Sequence, residues 1–185
     1  RAMLGAGAHT IVLGHNMERL RRIEEMTSGR VVTLMGSKYN LARMTRVADV
    51  LIGAVLRPGE RAPIMITREM VKTMKRGSVV IDLAIDHGGC IETSRPTTLE
   101  HPTYVDEGVI HYCVPNITSA VSRTSTKVIS NLIVQYLHAI GTLGLERAIR
   151  ENPALGRGVY MQKGYLTKSN IAERFGLKFR DLFSA

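Results

Sequence analysis

The sequence predicts an α/β fold in which a doubly wound parallel sheet occupies the chain up to about residue 122. Two observations predict it: short apolar runs alternate with helix-like segments, and residues 77–84 are apolar on both faces of the predicted strand. Strands that are buried on both faces and separated by helices are typical of βαβ units, whose sheets are parallel. The alternation ends near residue 122, so we predict one domain over 1–122 and a helical segment of another over 123–185.

The predicted elements follow one another in regular order. Asn16 is a suitable N-cap for a helix over 17–26. The segment 122–125 is predicted to cap a long helix that runs to about residue 140. The other predicted strands and helices are strands over 10–13, 30–34, 49–55, 77–84, 104–105 and 109–112, helices over 39–48, 67–74, 145–150 and 168–175, and a hairpin over 158–166.

Composition excludes several classes of function. The net charge is +9, but the 25 Lys and Arg residues are scattered and aromatic residues make up only 5%. A nucleic-acid-binding face needs clustered basic residues, usually with aromatic side chains for stacking, so we expect no nucleic-acid partner. The two cysteines lie far apart and the six histidines lack metal-ligand spacings, which indicates no metal site and reduced thiols in the cytoplasm. The apolar runs are too short to span a bilayer.

The segment Gly5-Ala6-Gly7 has the glycine spacing of a dinucleotide fingerprint but the wrong context. That fingerprint follows a strand and opens a helix, whereas here a strand comes after the glycines. We therefore interpret the pair as a turn between a helix and a strand. Gly14 then follows the second strand of the fold, where an acid usually contacts the ribose hydroxyls. Arg19 nearby would tolerate a 2′-phosphate, and a simple loss of the acid with weaker binding is equally consistent.

Asp86 is the strongest single candidate for a functional side chain. It follows the most buried predicted strand and precedes Gly88-Gly89, which allow a ligand to approach the backbone closely. A carboxylate at that point can accept a hydrogen bond from an amine or a water during proton transfer. A turn-capping aspartate remains the alternative from position alone. Asp82, within the strand, is interpreted as a satisfied buried group or a partner of a neighbouring loop.

Five segments together resemble the alanine dehydrogenase family, whose relatives include the transhydrogenase alpha subunit. They are ADVLIGAVLRPGERAP, MKRGSVVIDLAIDHGG, SRPTT, HPTYVDEGVIHYCVPNITSAVSRTS and NPALGRGVYMQKGYLT. The aspartate in LAIDHGG favours the dehydrogenases over the transhydrogenases. The resemblance implies a Rossmann domain inserted between two segments of a substrate domain. Residues 1–122 would be that domain without its first strand, and 123–185 the returning helical segment of the substrate domain.

The same resemblance implies the site residues. Asp86 matches the catalytic aspartate. Gly14 stands where the family usually carries an aspartate and Gly36 where a hydroxyl residue is common, while His87 replaces a frequent glutamine. The implied cofactor-binding positions are Gly14, Arg19, Gly36, Val55, Leu56, Leu83, Ala84, Ile85, Asp86, Arg95, Val114, Pro115, Asn116 and Ile117.

The implied activity is the reversible NAD-dependent oxidative deamination of L-alanine to pyruvate and ammonia. NADP is a possible cofactor because Gly14 replaces the acid, and the family assembles as homo-hexamers. In the family, the catalytic histidine and the lysine and arginine that bind the substrate carboxylate lie in an N-terminal segment. The resemblance implies that these 185 residues do not include that segment, so they are expected to have little or no activity alone. Two alternatives stay open: a transhydrogenase-type subunit that passes hydride to another nucleotide, and a nucleotide-binding module without turnover.

Overall fold

The chain divides into two compact units. The computed structural model describes residues 1–183; residues 184 and 185, the end of the predicted segment 123–185, lie outside the described residues. The first unit comprises Arg1–Leu56 and Ala62–Pro115, and the second comprises Arg57–Arg61 and the chain from Asn116 onward. The assignment of 1–122 to nucleotide binding and of 123–185 to a substrate domain stays a prediction.

The first unit contains the predicted alternation of strands and helices. Each predicted strand and helix up to residue 112 is present, with ends that differ from the prediction by at most two residues. Asn16 caps the second helix as expected, since its Oδ1 accepts a hydrogen bond of 2.8 Å from the backbone N–H of Arg19. The elements are α1 Ala2–Gly5, β1 Thr10–Gly14, α2 Met17–Met26, β2 Val31–Met35, α3 Lys38–Val47, β3 Val50–Gly53, α4 Arg68–Lys72, β4 Val79–Asp82, β5 Thr103–Asp106 and β6 Val109–Tyr112.

The strands of this unit form two sheets. Strands β1 and β2 pair in parallel, with Gly14 opposite Met35. The second sheet has the order β3-β4-β6-β5, in which β3, β4 and β6 are parallel and β5 is an antiparallel edge strand. Gly53 lies opposite Asp82, and Ile81 opposite Tyr112. The three parallel strands of the larger sheet therefore end together, and that edge is where their connecting loops meet.

The core of the first unit lies between the larger sheet and the helices that cover it. Val71 of α4, Val80 of β4 and Val109 of β6 are fully buried, and Ile91 of the following loop is 1% exposed. Leu41 of α3 packs against this cluster from the side. Each such aliphatic side chain stabilises the fold by about 1.5–3 kcal/mol relative to an exposed one.

The glycine pair of the first segment ends a helix. The N–H of Ala8 donates to the carbonyl of Met3, and the N–H of Gly7 donates to the carbonyl of Leu4, which is the Schellman pattern of helix termination. Gly7 has a φ of +82°, a left-handed conformation that side chains disfavour. The interpretation of Gly5–Gly7 as a turn between a helix and strand β1 is confirmed.

The second unit is mostly helical. Its elements are α5 Ser122–Leu143, α6 Leu145–Glu151, α7 Pro153–Gly158, β7 Met161–Gln162, β8 Tyr165–Leu166 and α8 Ser169–Phe175. Strands β7 and β8 form the expected antiparallel hairpin. In the described part of the chain, no helix combines the length and apolarity needed to cross a membrane.

Two details of this unit differ from the prediction. The cap predicted at 122–125 is wrong: α5 has Val121 as its N-cap without a side-chain hydrogen bond, and the Ser125 hydroxyl donates to the carbonyl of Thr118 instead. A 3-10 turn, Ile117–Val121, runs directly into the helix. Helix α7 was not predicted, although Asn152 caps it and Pro153 is its first residue.

Candidate functional site

Three loops leave the carboxyl end of the larger sheet. Val55 and Leu56 follow β3, the segment 83–89 follows β4, and Val114 and Pro115 follow β6. The N–H of Leu83 donates to the carbonyl of Gly53 at 2.8 Å, which ties the first two loops together at their base. The structure thus brings most of the expected positions of the first unit to one edge, where ligands of parallel α/β sheets bind.

Asp86 lies in the middle of the loop after β4. It belongs to a 3-10 turn, Ile85–His87, and is exposed. The N–H groups of His87 and Gly89 both donate to the carbonyl of Ala84, at 2.9 and 3.0 Å. Gly88 has a φ of +94°, so the chain reverses there without a side chain. This tight loop presents the carboxylate of Asp86 at the sheet edge rather than in the core.

The side chains around Asp86 are divided between the core and the surface. Ala84, Ile85 and Val114 are between 2% and 5% exposed, so only their backbone atoms can face a ligand at this edge. Leu56 and Leu83 are 63% and 41% exposed. Two exposed leucines on the loops that follow β3 and β4 offer apolar surface at the same edge of the sheet as Asp86.

Arg95 is held beside the end of β6 by Tyr104. Its guanidinium lies 4.0 Å from the centre of the Tyr104 ring, and its backbone N–H donates to the Tyr104 hydroxyl at 2.9 Å. That hydroxyl donates to the carbonyl of Thr93 and lies 3.8 Å from the Cys113 sulfur. Arg95 therefore stands close to the loop after β6, with its guanidinium oriented by a cation–π contact.

Burial shifts the pKa values of two titratable side chains near Arg95, namely His111 and Tyr104. The His111 ring stacks on Tyr104 with 5.0 Å between the ring centres, and it contacts the Thr93 hydroxyl at 2.7 Å and the carbonyl of Val109 at 3.0 Å. Desolvation lowers the pKa of His111 below its usual value, because the fully buried ring disfavours a positive charge. Desolvation likewise raises the pKa of Tyr104. Both side chains stay neutral near pH 7.

Gly14 and Gly36 lie together at the end of the smaller sheet. The N–H of Gly36 donates to the carbonyl of Gly14 at 2.8 Å. A Cβ on Gly36 would meet the imidazole of His15 at 3.1 Å, so His15 occupies the space beside it. Arg19 lies in the first turn of α2, which begins just beyond Gly14. The structure therefore brings these expected positions together, in a sheet separate from that of Asp86.

Asn116 and Ile117 belong to the second unit. Asn116 has the left-handed backbone angles φ 50° and ψ 46° and immediately precedes the 3-10 turn that leads into α5. Asparagine tolerates this conformation better than most residues. Their expected contact with a cofactor stays a prediction.

Asp82, the last residue of β4, has no functional role predicted from the sequence. Its carboxylate is 1% exposed and accepts hydrogen bonds from the backbone N–H groups of Ala84, Cys90 and Ile91. The interpretation as a satisfied buried group and loop partner is thus confirmed, while the individual donors Ala84, Cys90 and Ile91 were not predicted. Burial, followed by the charge of Asp82, raises the pKa of the Cys90 thiol to about 12.

The fold and this edge define a class: a Rossmann-type α/β domain whose ligand site lies at the carboxyl ends of its parallel strands. The family model described as "Alanine dehydrogenase/PNT, C-terminal domain" matches residues 1–169. The chain belongs to this family.

Relatives and solved structures agree with that membership. The chain is 42% identical over 97% of its length to the alanine dehydrogenase of Halomonas elongata, and 44% identical over 98% to alanine dehydrogenase 1 of Staphylococcus aureus strain Mu50. It spans about half of these relatives, 48% and 49% of their lengths. A solved L-alanine dehydrogenase superposes on 95% of the chain with a TM-score of 0.84 and 37% identity, over 48% of that structure. A transhydrogenase from Sinorhizobium meliloti shares the fold, with a TM-score of 0.64 and 24% identity over 76% of this chain and 39% of that one.

Proposed function

We propose that this chain forms the nucleotide-binding half of an NAD-dependent alanine dehydrogenase. The single observation that carries the proposal is the exposed Asp86 at the carboxyl edge of β4, in a chain more than 40% identical to proteins named alanine dehydrogenase. The reaction is L-alanine + NAD⁺ + H₂O ⇌ pyruvate + NH₄⁺ + NADH + H⁺. The enzyme is an oxidoreductase acting on a CH–NH₂ group.

The residues at the edge fit a nicotinamide cofactor. Leu56 and Leu83 are exposed large apolar side chains and suit the face of a nicotinamide ring. The hydroxyl Oγ of Ser94 is buried without a hydrogen-bond partner among the described residues, next to Gly89 of the Asp86 loop. A nicotinamide cofactor bound here would supply the hydride acceptor for the substrate α-carbon. Backbone atoms of Ala84, Ile85 and Val114 would line the same site.

Asp86 is the catalytic residue in this proposal. Its carboxylate accepts a hydrogen bond from the substrate amine and then from the water that attacks the imino carbon, which orients both. Geometry of this kind is worth several orders of magnitude in rate when the reacting atoms are held in place. The fixed turn of residues 85–87 supports that role because it limits where the carboxylate can point.

The cofactor form and the assembly belong to the same proposal. NAD is the proposed cofactor, and Gly14 together with Arg19 leaves room for NADP, since neither residue repels a 2′-phosphate. Gly36, Val55, Arg95, Pro115, Asn116 and Ile117 complete the proposed cofactor-binding set. A homo-hexamer in the cytoplasm is proposed from the family resemblance, and the free thiols of Cys90 and Cys113 are consistent with a reducing compartment.

The substitution Asp86→Asn in the full-length enzyme tests the function. We expect kcat for alanine oxidation to fall by about 100-fold or more, because general acid–base groups contribute about 10²–10⁴-fold. The dissociation constant for NADH should stay within about threefold, a change of less than about 0.7 kcal/mol. Steady-state kinetics and NADH fluorescence titration measure the two quantities.

The neighbouring substitution His87→Gln is the matched control. His87 is exposed in the same turn, and glutamine is frequent there in the family. Its kcat should remain close to wild type. Retained turnover in Asp86→Asn would contradict the assignment of Asp86 as the catalytic residue.

A further inference from the structure

Asp82 contacts both ends of the loop that carries Asp86. Its Oδ1 accepts from the N–H of Ala84 at 2.9 Å, just before the 3-10 turn. Its Oδ2 accepts from the N–H groups of Cys90 at 2.9 Å and Ile91 at 3.2 Å, just after Gly89. One buried carboxylate therefore closes the segment 84–90 into a loop, and Asp86 lies on that loop.

The thiol of Cys90 completes the hydrogen bonding of this carboxylate. Its sulfur lies 3.5 Å from Oδ1 of Asp82, and the raised pKa of Cys90 keeps the thiol protonated as a donor. A Cβ on Gly53 would lie 2.5 Å from that sulfur, so the absence of a side chain at the end of β3 makes room for it. The contact joins the end of β3 to the loop after β4.

Gly89 lets the loop close on the carboxylate. It has a φ of +77°, and a Cβ there would lie 3.1 Å from Oδ2 of Asp82. The loop is also tied outward, because the N–H of Ala62 donates to the carbonyl of His87 at 2.8 Å. The loop is therefore fixed at its two ends by Asp82 and near its tip by Ala62.

From this geometry we propose that Asp82 is a positioning residue for Asp86. The proposal rests on the proposed function, since it assigns to Asp82 the orientation of that catalytic carboxylate. Asp82 itself is 1% exposed and cannot touch a substrate. It acts by accepting hydrogen bonds from three backbone N–H groups, which set the backbone path of the loop, and a fourth from the Cys90 thiol. Three buried backbone donors are left unsatisfied when this carboxylate is removed.

The test is Asp82→Asn in the full-length enzyme. Asparagine has nearly the same shape, but its NH₂ group is a donor and would face a backbone N–H at one end of the loop. We expect kcat to fall by about 10- to 100-fold, because a misplacement of about 1 Å can cost about 100-fold in rate. The dissociation constant for NADH should stay within about threefold, since the variant changes turnover more than binding.

Val80→Ala provides the matched control. Val80 is fully buried two residues earlier on the same strand, so the substitution destabilises the core without touching the carboxylate. Its kcat should stay within about twofold of wild type at a temperature where both variants are folded. An Asp82→Asn enzyme that loses stability like Val80→Ala and keeps the wild-type kcat would overturn the positioning role.

Amide hydrogen exchange gives a second readout that needs neither substrate nor cofactor. Exchange at Ala84, Cys90 and Ile91 should be faster in Asp82→Asn than in Val80→Ala at matched stability. Equal exchange at these amides would overturn the loop closure itself. Absence of alanine oxidation in the wild-type enzyme would instead contradict the proposed function. The exchange measurement would still test the loop closure, because it does not depend on activity.

A milder pair of variants keeps the proposal testable if Asp82→Asn does not fold. Cys90→Ser retains a donor to Asp82, whereas Cys90→Ala removes it. We expect Cys90→Ser to keep the wild-type kcat and Cys90→Ala to lose about twofold or more, as for one net hydrogen bond. Equal rates in the two variants would contradict a contribution of the Cys90 side-chain hydrogen bond to the positioning by Asp82.

Discussion

At the scale of single residues, the site combines groups that can be found from the sequence with one that cannot. Asp86 was predicted because it follows a buried strand and precedes two glycines, and the structure exposes it at the sheet edge. Asp82 was predicted as a buried group or loop partner, but its partners Cys90 and Ile91 were not, because they are eight and nine residues away and no local pattern records them. A buried aspartate at the end of a strand, followed by Gly-Gly and then a cysteine, is the signal that was available.

The prediction at this scale concerns the ribose. Gly14→Asp should shift kcat/KM in favour of NAD over NADP by about tenfold or more, because the new carboxylate repels a 2′-phosphate. At a separation of about 4 Å, the repulsion between two unit charges is about 1 kcal/mol in water and about 4 kcal/mol near a protein surface. The new Cβ would lie 3.2 Å from Cδ2 of Leu20, so that side chain must shift slightly in any variant. Kinetics with both cofactors measure the shift.

Gly14→Asn is the control, since it adds the same bulk at Gly14 without the charge. Its cofactor preference should stay near that of wild type. A preference that is equal in the Asp and Asn variants would contradict the electrostatic explanation.

At the scale of elements, the periodic segments were predictable and the irregular ones were not. Strands β1 to β6 and helices α2 to α4 appear where hydrophobic pattern and capping indicate them. Helix α7 was missed because its sequence, PALGRG, contains two glycines and a proline, although Asn152 and Pro153 are start signals. The 3-10 turn at Ile85–His87 was missed because three residues carry no periodicity.

The prediction at the scale of elements concerns His111 of β6, which lies opposite Tyr104 of β5. It is that His111 makes the free energy of unfolding depend on pH. Because the pKa of His111 is lowered in the folded state, its neutral form stabilises the fold above the usual pKa of 6.5, and that stability is lost as pH falls below 6.5. His111→Gln should flatten the decline in the free energy of unfolding between pH 7 and 5, by up to about 1.4 kcal/mol per pH unit. Urea unfolding at several pH values measures it.

His101→Gln is the matched control for that experiment, because it removes an exposed histidine of the same unit. Its unfolding free energy should follow the wild-type pH dependence more closely than that of His111→Gln. If the free energy of unfolding declines with pH equally in wild type and in His111→Gln, the prediction is contradicted. The lowered pKa of His111 would then not be the cause of the lost stability.

At the scale of the whole molecule, the first unit carries Asp86 and most of the proposed cofactor positions, and the second carries Asn116 and a helical segment. The chain spans about half the length of its alanine dehydrogenase relatives. The proposed activity therefore belongs to the full-length enzyme, with the present residues supplying the dinucleotide site and the acid–base carboxylate. We expect the 185 residues alone to give no measurable turnover of alanine.

The most direct test of the central claim is the formation of NADH by the full-length enzyme with and without L-alanine. The account predicts NAD reduction that requires alanine and yields pyruvate and ammonium in equal amounts, with the 185-residue chain as a control that gives none. Hydride transfer from NADH to a second nucleotide, unaffected by alanine, would contradict it.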